Sequence, residues 1–152
     1  MTEELANTLR AVHVLGATVW VGGMVFALFI LRPSLGLLPP GQRLSLHAAV
    51  FTRFFRVIWH VMPLVLLTGY GMVFGVYGGF AGVNPVIHVM HTIGVVMAVI
   101  FAVIFFGPWR AMRAALAVGD TPGAAGAADR IRKLVLANMV LGVIAITVGA
   151  FA

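Results

Sequence analysis

Residues 86–106 read VIHVMHTIGVVMAVIFAVIFF and contain no Asp, Glu, Lys or Arg. An apolar run of this length matches the roughly 20 residues that an α-helix needs to cross the hydrocarbon core of a bilayer. The run follows a glycine-rich turn and ends at Gly107-Pro108, where a helix is expected to stop. This stretch therefore predicts a transmembrane helix, and it decides the fold class.

The composition of the whole chain agrees with a membrane protein. Apolar residues make up 62% of the 152 residues and charged residues 9%, whereas soluble domains contain about 45–50% and about 25%. A soluble protein of this size could not bury so much apolar surface, so lipid must surround most of it. The chain contains no cysteine, which excludes disulfides and thiolate metal sites.

Three further apolar runs lie on either side of the first one. Together they predict an all-α, integral membrane four-helix bundle that forms a single transmembrane domain over residues 1–152. The predicted helices cover residues 9–31, 52–77, 86–106 and 131–150. We expect an amphipathic stretch over 44–51 before the second helix and a polar, Ala/Gly-rich loop over 118–128 before the fourth.

Basic residues are concentrated in the first and third connections, and this distribution predicts the orientation. Those in and beside these connections are Arg32, Arg43, Arg53, Arg56, Arg110, Arg113, Arg130, Arg132 and Lys133. The positive-inside rule places both connections in the cytoplasm. We expect a multi-pass protein of the bacterial plasma membrane with both termini on the periplasmic side. The pI near 11.5 reflects these anchoring residues, and no nucleic-acid partner is expected.

Histidines are the conspicuous ionisable residues of the predicted helices. Such side chains are costly inside a bilayer, so each one is a functional hypothesis. His13 lies just inside the outer end of the first helix. Given a rise of about 1.5 Å per residue, His88 and His91 of the third helix lie at nearly the same depth. These two are three residues apart and share a helix face. We therefore expect the three imidazoles to converge as a cofactor or metal site.

Haem b is the first cofactor that fits such a cluster. It takes two axial imidazoles from facing helices, which predicts His13 and either His91 or His88 as iron ligands. Three neighbours complete the predicted site: Arg10 on a propionate, Gly16 beside the ring and Trp20 as a wall of the slot. Close helix packing is the alternative explanation for Gly16.

Copper is the second candidate. It accepts the same imidazoles of His13, His88 and His91, and Met90 offers a soft additional donor. The ligand type alone does not choose between haem and copper, because imidazole serves both.

His60 lies apart from the other three, in the half of the second helix nearer the cytoplasm. Its depth matches that of Asn138 and Met139 in the fourth helix, so a second metal site with His60 and Met139 as ligands is conceivable. A hydrogen bond from His60 to Asn138, or to a carbonyl freed by Pro63, is the simpler interpretation. Small residues around Gly142 form a stripe that suits helix contact, within the bundle or in a homodimer.

Five segments of the chain resemble the CopD-like (copper resistance protein D-like) family of small membrane proteins. They are HVLGATVWVGG at 13–23, FFRVIW at 54–59, LTGYG at 67–71, HVMHTIG at 88–94 and IRKLVLAN at 131–138. The family is named for copper resistance or uptake, so the resemblance implies a role connected with copper.

The chain is also similar, more distantly, to HemJ-type four-helix membrane proteins, which are associated with protoporphyrinogen oxidation and haem binding. Their first-helix pattern maps onto His13, Gly16 and Trp20. Their third helix carries a His-x-Lys element, and here Met90 stands in place of the lysine. This resemblance therefore implies porphyrin binding rather than the oxidase activity.

These observations predict a small b-type cytochrome-like protein that binds haem b between transmembrane helices for electron transfer. Its partners would be the lipid bilayer and a redox partner or quinone. A copper-binding or copper-transport membrane protein is the alternative, and an accessory subunit without a cofactor is a third possibility. Oxidoreductase activity stays open, and no catalytic residue is assigned. The chain has no Ser-His-Asp set, P-loop or HExxH motif, so hydrolase functions have no basis.

Overall fold

The computed structural model describes residues 2–151, and within this range the chain is helical and contains no strand. The helices are α1 Glu3–Phe26, α2 Pro40–Gly75, α3 Pro85–Phe106, α4 Pro108–Ala117 and α5 Thr121–Gly149. Four helical segments of the described range are long and apolar enough to cross a membrane. The predicted all-α, four-helix membrane architecture is therefore confirmed.

Three helices begin earlier than the hydropathy pattern predicts, and α1 starts at Glu3 rather than at residue 9. The amphipathic stretch 44–51 is continuous with α2, which starts at Pro40. The loop predicted over 118–128 was wrong for most of its length, because α5 starts at Thr121. The Asp120 carboxylate caps this start by accepting the Gly123 N–H at 2.9 Å, and the alanines that follow favour a helix.

A π-helical turn extends α1 towards its connection with α2. After α1 the chain forms a π-turn, a short α-helical turn and a 3₁₀ turn, over Ala27–Leu31, Arg32–Ser34 and Leu35–Leu37. In a regular α-helix the Pro33 ring would clash with the carbonyl four residues earlier. The wider turn accommodates one extra residue, and the Arg32 N–H donates to the Ala27 carbonyl. The chain thereby stays helical and brings Leu35, which is 3% exposed, into the bundle.

The four long helices form a bundle in which α1 and α3 are diagonal partners. α1 packs against α2 and α5, and α3 packs against α5 and α4. Glycines allow the close approaches, including Gly16, Gly23 and Gly142. A Cβ on Gly16 would lie 2.6 Å from Val65 Cγ2, and one on Gly142 would lie 2.5 Å from Val21 Cγ2. The rotation of α1 about its axis is therefore fixed by contacts with α2 and α5.

The buried core is not spread evenly along the bundle. We call the half that contains Glu3, Gly75, Pro85 and Gly149 the terminus half, and the half near the basic connections the basic half. Most buried hydrophobic side chains lie in the basic half or at the centre, including Phe55, Phe101, Trp109, Met112 and Ile131. Among residues 2–151, Val73 is the one buried hydrophobic side chain of the terminus half.

Candidate metal-binding site

His13 is held against α2 by two hydrogen-bond partners. Its Nδ1 lies 2.8 Å from the Val65 carbonyl oxygen and 3.2 Å from Thr68 Oγ1. The Thr68 hydroxyl donates to the Leu64 carbonyl at 2.7 Å, and a carbonyl can only accept. The Nδ1 of His13 is therefore the donor, which in the neutral ring leaves the Nε2 lone pair available. Metal-binding histidines have this arrangement, with the second nitrogen donating to a carbonyl or carboxylate.

His88 and His91 lie on α3, and both are close to the ring of Phe80. The ring centroids of His88 and His91 are 5.9 and 4.8 Å from that of Phe80. His91 is half-buried, and its Nε2 lies 2.9 Å from the Tyr70 hydroxyl of α2. His88 is exposed. The pair therefore shares one surface of α3, and a hydrogen bond ties His91 to α2.

The imidazoles of α1 and α3 lie against different faces of α2. Their partners Thr68 and Tyr70 are two residues apart, and a helix turns by about 100° per residue, so these side chains diverge by roughly 200°. Over residues 2–151, no group of three or more His, Cys, Asp or Glu side chains is placed to hold a metal ion. The structure thus brings His13 and His91 to the same stretch of α2 without joining them to His88 in one three-imidazole group.

The residues predicted to surround a haem have other contacts. Gly16 faces α2, where Val65 occupies the space that its missing side chain leaves. Trp20 is 3% exposed and meets the edge of Phe101 at a centroid distance of 6.5 Å. Arg10 is exposed on α1. Helix packing therefore accounts for Gly16 and Trp20, and haem binding gains no support from their positions.

Met90, the candidate soft donor, points away from the histidine pair. A Cβ on Gly149 of α5 would lie 3.4 Å from Met90 Sδ. Met90 therefore packs between α3 and α5, whereas His91 faces α2. A Cβ on Gly94 would have no neighbour within 4 Å among the described residues, so close packing does not explain this glycine.

His60 is exposed on α2, and its Nδ1 donates to the Arg56 carbonyl at 2.8 Å. This carbonyl is in the same helix, one turn earlier. Asn138 and Met139, the suggested partners of His60, are 1% and 8% exposed in the bundle core. The structure does not bring them to His60, so the hypothesis of a second metal site there has no second ligand from α5.

The small residues of α5 face the interior of the bundle. Gly142 meets Val21 of α1 and Met97 of α3, and Gly149 meets Met90. Asn138 lies on the same stripe, and its Oδ1 is buried without a hydrogen-bond partner among the described residues. Contacts within the chain explain this stripe, and a homodimer is not shown.

Thr68, Gly69 and Tyr70 position the histidines but were not among the predicted site residues. Thr68 and Tyr70 bind His13 and His91. Gly69 admits the His13 ring, because a Cβ there would lie 3.1 Å from His13 Cε1. The available signal was two hydroxyl side chains around a glycine, within an apolar helix and near the depth of the histidines.

A family model described as Copper resistance protein D matches residues 48–152. This match covers more than half of the chain, so the chain belongs to the CopD family and is a multi-pass membrane protein. The matched region includes His60, His88 and His91 but not His13. A relationship to HemJ-type proteins is not shown. No curated protein and no solved structure matches the chain.

Proposed function

We propose that this protein binds copper in its terminus half and transfers the ion within the membrane. The observation that carries the proposal is the family match, whose description names copper resistance. The histidines add the chemistry, because imidazole is a suitable ligand for copper. Three of the five histidines lie in the terminus half, where few hydrophobic side chains are buried.

His88 and His91 form the first station for the ion in this proposal. Their spacing of three residues lets both rings turn towards one ion. His88 is exposed and supplies the entry, whereas His91 is half-buried. If copper binds Nε2 of His91, it replaces the Tyr70 hydroxyl that now lies 2.9 Å from that atom.

His13 forms the second station on the other side of α2. Its Nδ1 is committed to the Val65 carbonyl at 2.8 Å, so Nε2 is the atom that binds the ion. Two separate stations fit the observation that the described residues contain no three-membered ligand group. Copper bound by few ligands at each station can leave again, which transport requires.

Copper titration of the purified protein in detergent tests this proposal. The wild type should bind stoichiometric copper, as measured by metal analysis and by copper-dependent spectra. We expect His91→Ala to weaken binding by more than the roughly 10–100-fold that loss of an outer-shell partner costs. His13→Ala should remove the second station and leave the first.

His60→Ala is the matched control, because His60 is exposed and bonded to its own helix at 2.8 Å. It should leave copper binding unchanged. The proposal is wrong if the wild type binds no stoichiometric copper, or if His60→Ala weakens binding as much as His91→Ala does. A Soret band in the purified protein would instead identify haem as the bound group.

The proposed orientation places the terminus half at the outer surface of the bacterial plasma membrane. It rests on the basic connections, which favour the cytoplasmic side. The chain contains no cysteine, so single introduced thiols can be labelled specifically. In intact cells, a membrane-impermeant maleimide should label Ala81→Cys but not Ala117→Cys. The reverse pattern would place the histidines on the cytoplasmic side.

A further inference from the structure

A groove lies at the end of the basic half, between the segment after α1, the first turns of α2 and the first half of α5. Its charged and titratable lining residues are Arg32, Arg43, His47, Asp129 and Arg132. They come from three parts of the chain and converge only in the folded bundle. The groove is at the opposite end of the molecule from the proposed copper stations.

The groove carries an excess of positive charge. Asp129 is its one carboxylate among the described residues, and it is already paired with Arg132 at 2.8 Å and Lys133 at 2.9 Å. Arg32 and Arg43 therefore have no carboxylate partner within the groove. Two guanidinium groups that share a concave surface are suited to an anion, and their planar forks match the oxygens of a phosphate.

Arg43 is oriented by the backbone around it. Its Nη2 donates to the carbonyls of Gly36 and Leu38, at 3.3 and 3.0 Å. These bonds hold the guanidinium over the groove and leave the Nη1 and Nε protons for a ligand. Arg43 is therefore positioned by the fold before a ligand arrives.

The remaining lining is apolar and indicates which kind of phosphate fits. Pro33, Leu44 and Ala125 line the same groove as the arginines, and their side chains are exposed or half-buried. A phosphate attached to a glycerol backbone and acyl chains can contact both parts of this lining, whereas inorganic phosphate can use only the cations.

We propose that this groove binds the phosphate group of an anionic phospholipid, with Arg32 and Arg43 as its direct partners. The apolar residues contact the lipid beyond the phosphate. The site is independent of the copper proposal, because none of its residues belongs to the histidine stations.

Native mass spectrometry of the delipidated protein, titrated with phosphatidylglycerol or phosphatidylcholine, tests this site. We expect a defined phosphatidylglycerol adduct that phosphatidylcholine does not replace. Arg32→Gln and Arg43→Gln should each weaken it roughly tenfold, as for loss of a charge-assisted hydrogen bond. Arg32 donates no hydrogen bond to the described backbone through its side chain, so Arg32→Gln reports on the ligand even if Arg43→Gln perturbs the fold.

Arg53→Gln is the matched control, since Arg53 is an exposed arginine of α2 outside the groove lining. It removes the same charge and should change the adduct less than twofold. Equal losses in Arg53→Gln and Arg32→Gln would overturn the proposal, as would no loss in Arg32→Gln. A parallel titration with inorganic phosphate separates the sources: binding of phosphate without phosphatidylglycerol would overturn the lipid assignment. Copper binding should be unchanged in all three variants.

Discussion

The two halves of the bundle are built on different principles. In the basic half, aromatic rings interlock: Phe55 lies 5.9 Å from Phe101 and 5.4 Å from Trp109, measured between centroids. In the terminus half, the rings of Tyr70, Phe74 and Phe80 also meet one another, but Val73 is the one buried hydrophobic side chain among the described residues there. Hydrogen bonds join His13 and His91 of this half to α2. One half encloses most of the buried apolar core, and the other has few buried side chains and adds polar contacts between its helices.

Under the proposed copper function, this difference separates the stability of the bundle from the exchange of the bound ion. Lipid tails are as apolar as the bundle interior, so helix association in a membrane depends on close packing rather than on transfer from water. The basic half supplies that packing. Polar groups in the terminus half can therefore change partners at a local cost, without opening the core.

Phe55→Ala should have the largest effect on stability, and it tests whether the two halves differ in how much they stabilise the bundle. Phe55 is 1% exposed, so its removal leaves a cavity. We expect a loss of roughly 3 kcal/mol in the free energy of unfolding, the lower end for Phe→Ala in a core, because lipid reduces the transfer contribution. Phe74→Ala, at a site that is 62% exposed in the terminus half, should cost far less. Unfolding in mixed micelles measures both variants, and equal losses would show that the halves do not differ.

Gly16→Ala sharpens the comparison by testing what holds the terminus half together. The added methyl group would lie 2.6 Å from Val65 Cγ2 and force α1 away from α2. We expect a loss of roughly 1–3 kcal/mol from overpacking. Gly94→Ala is the control, since nothing lies within 4 Å of its Cβ position. It should be neutral or stabilising by up to about 1 kcal/mol through helix propensity. Thermal melting in detergent compares them, and a harmless Gly16→Ala would disprove the close contact.

Asn138→Leu tests how the buried polar side chain of Asn138 affects the stability of the bundle. The Asn138 Oδ1 is buried and has no partner among the described residues, and an unsatisfied acceptor costs about 1–3 kcal/mol. A side chain of similar size without that acceptor should leave the protein equally stable or raise its stability by about 1 kcal/mol. Chemical unfolding measures the change. A clear loss of stability would indicate that Asn138 has a hydrogen-bond partner in the membrane.

Tyr70→Phe should have the smallest effect, and it tests the hydrogen bond between Tyr70 and His91 in the terminus half directly. Under the proposed copper function, the Tyr70 hydroxyl competes with the ion for Nε2 of His91. Its removal should tighten copper binding about fivefold, which corresponds to the ~1 kcal/mol of a typical hydrogen bond. Competition titration with a copper chelator measures this change. Weaker binding would mean that Tyr70 orients His91 while copper occupies Nδ1.

The sequence was sufficient to predict the four long apolar helices and a similar level along α2 for His13 and His91, because bilayer thickness and helix rise determine both. It was not sufficient for the helix starts at Pro40 and Thr121, where amphipathic or alanine-rich helices carry no hydropathy signal. The sequence also did not predict the direction in which each imidazole points around its helix axis. That direction depends on how α1 is rotated by contacts such as Gly16 with Val65 and Gly142 with Val21, which hydropathy does not encode.

The π-turn at Ala27–Leu31 has a consequence for how insertions and deletions would be tolerated in this chain. Removal of one residue from this turn would convert it towards a regular α-helix and rotate everything after it by about 100°. Leu35 would then leave the bundle interior, and Arg32 would turn away from Arg43. The length of this short segment, rather than its composition, thus sets how the residues that line the groove are rotated about the helix axis relative to the transmembrane part of α1.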